Sequence, residues 1–243
     1  LEVHTCPICG ELDGKVFLVK DAEKGVNYPT MHPHCRCTTV PALEKGGKRY
    51  ARDIETGEGY EVDSGQTFKD WRKQQLDKYG QTAIKDKLQA ERLEKDRVRR
   101  TKKQFIAYRQ VLGPQNMPKT FAGFYDLKYN NVEGYKELKD RIRWAKSKFP
   151  TEKSFDGHYK KHRVEFGDIT KEDYLHIGQN LLSKTINENI LGYDTEMRRV
   201  RYDVENNIYV LGDNRSKRIT TILKPKKGVD YYEQDWEREF DNH

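Results

Sequence analysis

Met197-Arg198-Arg199-Val200-Arg201-Tyr202, Asn207-Ile208-Tyr209-Val210-Leu211 and Arg218-Ile219-Thr220-Thr221-Ile222-Leu223 are three short β-prone runs. The turn clusters Glu205-Asn206 and Gly212-Asp213-Asn214 separate them. Upstream, His158-Tyr159-Lys160-Lys161-His162-Arg163-Val164-Glu165-Phe166-Gly167 reads as the start of a histidine-bearing helix. A second helix, capped by Thr170 with Asp173 at its third position, runs to about Leu182. Two helices followed by an antiparallel meander predict a small α+β domain over residues 151–243.

Alternation along a strand decides which side chains share a face. Arg199 and Arg201 fall on one side of the first run, and Val200 and Tyr202 on the other. In the third run Ile219, Thr221 and Leu223 alternate with Thr220, Ile222 and Lys224. His158 and His162 stand four residues apart and share a helix face. Basic side chains on one sheet face, with histidines from a packed helix, make a candidate metal-free ribonuclease site. That chemistry needs a base to take the 2′-OH proton and an acid to protonate the leaving 5′-oxygen, and histidine serves either role near neutrality. It also needs cations or hydroxyl donors at the phosphorane, for which the arginine fork and a threonine hydroxyl are suited. No strong metal cluster occurs in this span, so a two-metal nuclease is not indicated.

Three motifs in order, Lys161-His162-x-x-Glu165-Phe166-Gly167-x-Ile169-Thr170-Lys171-Glu172-x-Tyr174-Leu175, Val200-Arg201-Tyr202-Asp203 and Ile219-x-Thr221-x-x-Lys224-Pro225, resemble the toxin ribonucleases of the barnase/EndoU/colicin/RelE-like superfamily. The resemblance spans nearly all of 158–232. It implies a helical pair packed on a twisted four-stranded sheet and metal-independent cleavage of RNA, often tRNA, leaving a 2′,3′-cyclic phosphate. Carried over by position, it makes His162 the general acid/base, Arg201 the ligand of the scissile phosphate, Thr221 a donor to it and Lys224 an added charge. His158, Lys161 and Arg199 are further substrate contacts. A cognate immunity protein is an implied partner. The chain departs from the pattern in having Leu223 where an aromatic is frequent, and in its acidic tail at 230–243. Each residue also has an ordinary reading: Arg201 as an exposed strand arginine paired with Asp203 or Glu205, Thr221 as strand packing, Lys224 as an edge-strand guard. Glu165 reads as structural, with an acid/base role as the alternative, and Tyr231, Tyr232 and Trp236 as a flap closing the core.

Residues 45–150 read as a basic helical connector, with 26 Lys/Arg against 15 Asp/Glu. Helices are expected over 67–79 and 82–112, the latter ended by Gly113-Pro114. A further module starts near Thr120, breaks at Asn130-Asn131 and resumes through Tyr135, Leu138, Ile142 and Trp144. Residues 108–146, from Tyr108-Arg-Gln-Val-Leu-Gly-Pro through Leu127-Lys-Tyr-Asn, are similar to a segment that follows the capsid domain in phage minor head proteins, which implies a connector or docking module. A basic middle suits a polyanion or an acidic assembly surface, against the ordinary reading of a solvated helical linker.

All four cysteines lie in Cys6-Pro7-Ile8-Cys9-Gly10 and His32-Pro33-His34-Cys35-Arg36-Cys37. A Cys-x-x-Cys followed by a second Cys/His knot is the pattern of a closed tetrahedral zinc site. The preferred ligands are Cys6, Cys9, His32 and Cys35, with Cys37 as the substitute; disulfides or idle thiols are the alternatives. Cys6 through Phe17 and Met31 through Cys37 resemble the end of the phage head-morphogenesis (MuF-type) minor capsid domain over residues 1–43. That resemblance implies a virion location and portal or capsid partners, with the toxin acting in the bacterial cytoplasm.

Composition bounds these readings. Of the 243 residues, 35% are hydrophobic and 35% charged, which favours several small cores over one large one. No run reaches the roughly 18 apolar residues of a membrane span. The start lacks a signal-peptide pattern and suggests the C-terminal piece of something longer. The rivals are a non-catalytic virion protein binding capsid or packaged DNA, and an ADP-ribosyltransferase suggested by Glu237-Arg238-Glu239 after Thr220-Thr221.

Overall fold

A computed structural model describes residues 1–35, 37–42 and 47–241. The expected boundary at 44/45, residue 36 of the second knot and the last two residues of the acidic tail lie outside the described residues. The chain forms two compact units, Leu1–Arg97 and Val98–His243.

The first unit holds helix α1 (Pro7–Leu12), strands β1 (Lys48–Arg52) and β2 (Gly59–Asp63), helix α2 (Phe68–Tyr79) and the start of α3 (Gln81–Leu112). The hairpin β1–β2 lies within the span read as a helical connector, ahead of the helix expected over 67–79: Tyr50 pairs with Glu61 and Ala51 with Tyr60 in antiparallel register. Its turn is built by Asp53, whose Oδ1 accepts from the N–H groups of Glu55 and Thr56, before Gly57 at φ 75°. Ala51, Ile54, Phe68, Trp71 and Ile84 form its core. Asp13 ties three segments: Arg49 donates to both its oxygens, and the Phe68 N–H at the start of α2 donates to Oδ2. Thr67 and Asp70 close a capping box on α2.

The second unit begins with the remainder of α3, which Gly113 ends at φ 80°. Helices α4 (Phe121–Asn130) and α5 (Val132–Trp144) follow, divided where expected, with Asn131 capping α5 through Gly134 N. Phe105, Leu112, Met117, Phe124, Leu138 and Ile142 fill the core these three helices share.

Helix α6 (Glu152–His162) starts earlier than its histidines suggest. Thr151 caps it through Ser154 N, so His158 and His162 occupy its last turn, before a short 3₁₀ turn at Arg163–Phe166. Helix α7 (Lys171–Ser183) has the capping box of Thr170 and Asp173. Strands β3 (Ile190–Asp194), β4 (Arg198–Asp203), β5 (Ile208–Asp213) and β6 (Arg218–Leu223) form an antiparallel sheet in the order β3-β4-β5-β6. β3 was not among the three runs, because Gly192 and the short Ile-Leu-Gly-Tyr-Asp segment mask its alternation. Gly192 is required there, since a Cβ would collide with Val200 O on β4.

One sheet face packs on α6 and α7 through Phe155, Tyr174, Leu182, Val210, Ile219 and Ile222. Fully burying aromatic and aliphatic chains of this kind stabilises by roughly 1.5–3 kcal/mol each. The other face carries Tyr193, Val200, Tyr202 and Tyr209, with Tyr232 of helix α8 (Val229–Phe240) against it. The acidic tail is therefore a helix laid on the sheet. Strict alternation fails in β6, because Leu211 faces Thr221 while Gly212 faces Ile219. That bulge leaves Thr220 as the extra residue and turns Ile219 and Ile222 to the same face.

Candidate functional site

Helix α6 runs beside β6, and its last turn brings two imidazoles to that strand. His158 Nδ1 lies 3.3 Å from Thr221 Oγ1. His162 Nδ1 lies 2.7 Å from Glu165 Oε1, and Glu165 Oε2 accepts from the Lys224 N–H at 2.7 Å. One carboxylate thus joins the end of α6 to the end of β6. With Nδ1 given to the carboxylate, Nε2 is the remaining proton-transfer atom of His162, although its ring is only 7% exposed. The two imidazoles stack at 6.0 Å between centroids, with Phe149 5.3 Å beyond His158. Burial, then the charges of His162 and Lys161, lower the His158 pKa, which favours a neutral ring at pH 7. Lys224 Nζ lies 5.4 Å over the Phe166 ring, and Lys161 is exposed on the same helix turn. A neutral imidazole, a second imidazole on a carboxylate, a hydroxyl and two lysines suffice for proton transfer at a phosphodiester.

Arg199 and Arg201 are not part of this group. The alternation reading is correct in giving them one face, yet that face is buried. Arg201, 2% exposed, donates to both oxygens of Asp194 at 3.1 and 2.8 Å and to the carbonyls of Val200 and Lys184. Arg199, 7% exposed, donates to Leu182 O, Asp140 and Asp194; burial lowers its pKa to about 10. Both guanidiniums hold the carbonyls at the C-terminal end of α7, where cations are favoured. Arg201 pairs with Val210, which pairs with Ile222, so it stands two strand spacings, roughly 10 Å, in from β6. The expected fork of Arg201 on a phosphate, and its pairing with Asp203 or Glu205, give way to this Asp194 clamp. Sequence alternation gave the face but could not show what covers it. Glu165, read as structural with an acid/base role as the alternative, is the residue that joins the group.

A second cluster stands in the first unit. Cys6 is the N-cap of α1, and the Cys9 N–H donates to its sulfur at 3.3 Å, so the Pro7 turn aims both thiols one way. His32 Nε2 lies 3.1 Å from Cys6 Sγ and 3.6 Å from Cys9 Sγ, and Cys9 Sγ is 4.0 Å from Cys35 Sγ. The ligand atoms of Cys6, Cys9 and His32 lie within 4.8 Å of one another, as do those of Cys9, Cys35 and Cys37. A zinc ion at about 2.3 Å from sulfur and 2.0 Å from nitrogen holds its ligands roughly 3.5–3.8 Å apart, so this donor set fits the metal. His32 Nδ1 faces Pro33 O at 2.9 Å, which leaves Nε2 for the sulfurs. All four cysteines are free thiols. Cys9 belongs to both groups, so Cys35 and Cys37 remain alternatives for the fourth position.

Among the described residues no helix is long and apolar enough to cross a membrane. Residues 1–40 match the Phage Mu protein F like protein family. No curated protein matches the chain.

Proposed function

We propose that this chain is a phage head-associated protein whose terminal α+β domain is a metal-independent endoribonuclease toxin acting at the α6–β6 junction. The observation that carries the catalytic part is the convergence of His158 on Thr221 and of His162 on Glu165, which is itself bonded to Lys224 N. The Phage Mu F-like segment at 1–40 supports the head association, and with it a virion location and portal or capsid partners. Zinc held by Cys6, Cys9, His32 and Cys35 or Cys37 would be structural, since protein donors fill every position.

In this reading His158 takes the proton of an RNA 2′-OH. The 2′-oxygen bonds to phosphorus, the bond to the 5′-oxygen breaks, and His162, protonated and oriented by Glu165, gives its proton to that oxygen. The products are a 2′,3′-cyclic phosphate and a free 5′-OH. Thr221 donates to a non-bridging oxygen, while Lys161 and Lys224 supply the charge first assigned to Arg201. RNA is the substrate class, tRNA included; the toxin acts in the bacterial cytoplasm and calls for an inhibitor in protected cells.

The full chain incubated with total RNA in EDTA tests this. Cleavage by the wild type, with loss of roughly 10²-fold or more in His158→Ala and in His162→Ala, is the expected result. RNA left intact by the wild type would instead support a non-catalytic head component, the reading the N-terminal match favours by itself.

A further inference from the structure

We infer that the aromatic side of α4, with the neighbouring turn of α3, is a docking surface for single-stranded RNA. Phe121, Tyr125 and Tyr129 recur every four residues on α4, with ring centroids 5.9 and 4.6 Å apart. Phe105 of α3, buried in the helical core and 6.2 Å from Phe121, anchors the inner end of the row. Phe124, fully buried, makes the core contact of α4 together with Phe105 and Phe121, and from there the row runs outward through half-buried Tyr125 to Tyr129. Tyr129 is 38% exposed and Ile106, next to Phe105, is 49% exposed.

Cations attend the same rings. Arg109 lies 5.8 Å over Phe105, and Lys128 lies 5.2 Å over Tyr129. Lys102, one turn before Phe105, is exposed. Residues 98–150 carry 13 Lys/Arg against 4 Asp/Glu, so the surface suits a polyanion. Rings interleaved with cations bind unpaired bases by stacking while the lysines and arginines follow the phosphates. A duplex hides its base faces and would use only the charge. The choice of RNA as occupant, though not the surface itself, rests on the ribonuclease reading.

The test uses the full chain and a labelled oligomer of roughly 12 2′-O-methyluridines, which cannot be cut because its 2′-oxygen is blocked. Anisotropy should report binding that weakens roughly tenfold or more in the pair Tyr125→Ala and Tyr129→Ala. Tyr129→Phe keeps the ring, removes the hydroxyl that meets Thr101 and should bind as the wild type does. Lys102→Glu with Arg109→Glu, both at exposed positions, should weaken binding and flatten its salt dependence. Undiminished binding in the folded tyrosine pair, or competition by a duplex as strong as by the single strand, overturns the proposal. If the tyrosine pair fails to fold, undiminished binding in the charge-reversed pair overturns it equally. Oligomer binding without cleavage of RNA would sink the ribonuclease reading and leave the surface standing; cleavage without oligomer binding would do the reverse.

Discussion

Glu165 is where the two halves of the candidate site are joined. Its carboxylate spans from the last residue of α6 to the backbone of Lys224, so it fixes His162 against β6 and engages Nδ1, which leaves Nε2 for the proposed proton transfer. Glu165→Gln keeps the shape and removes the charge. It is expected to lower kcat for RNA by roughly 10²-fold with KM close to wild type; a KM effect alone would contradict the positioning role. His158 gives a second, independent handle. Its folded pKa is depressed, so the unfolded chain takes up the proton first as pH falls. The stability it contributes is full above the ordinary histidine pKa of about 6.5 and is lost as pH falls through the depressed folded value. Melting temperatures at several pH values should therefore drop less steeply below pH ~6.5 in His158→Gln than in the wild type. Parallel curves would show that the ring is not buried as described.

Among the elements, α8 shows how a charged segment becomes structural. Asp235 accepts from Tyr193 and Tyr209 hydroxyls at 2.6 Å each and from Arg198, while Arg198 also reaches Glu239. Burial opposes ionisation of Asp235, but these hydrogen bonds outweigh it and lower the carboxyl pKa. Asp235→Asn is expected to destabilise the protein by on the order of 2 kcal/mol, measured by denaturant unfolding; a change within the noise would mean that α8 is held by its apolar contacts alone. The sequence carried much of this architecture. Caps at Thr67, Thr120, Thr170 and Asn131 and the stop at Gly113 are local signals, and the helices they bound were readable. The strand runs were readable too, because β4 alternates Arg199 and Arg201 with Val200 and Tyr202, and β6 is rich in β-branched residues. What was not readable depends on neighbours: the hairpin at 48–63 hid behind its charges, β3 behind Gly192, and the bulge at Thr220 behind regular alternation. The failure at Arg201 has the same origin. Period-2 reasoning gives a side chain its face, whereas only packing shows that α7 and Asp194 cover that face.

At the scale of the whole molecule, the Cys/His cluster and the histidine cluster lie in different units and make separate demands. In the first, thiols from both ends of residues 6–37 meet without a disulfide, and the clasp we propose for them is a shared metal. Elemental analysis should give one zinc per chain, and chelation should expose the three thiols that hold it to a maleimide reagent; thiols equally reactive before and after chelation would refute the clasp. The reaction proposed for the second uses no metal, so EDTA separates the two. The central claim is that the α6–β6 cluster cuts RNA by 2′-OH attack, and mapping of RNA ends from bacteria expressing the chain tests it most directly. Discrete new 2′,3′-cyclic phosphate ends with the wild type, absent with His158→Ala, are the predicted result. Identical end maps from the two strains would contradict it.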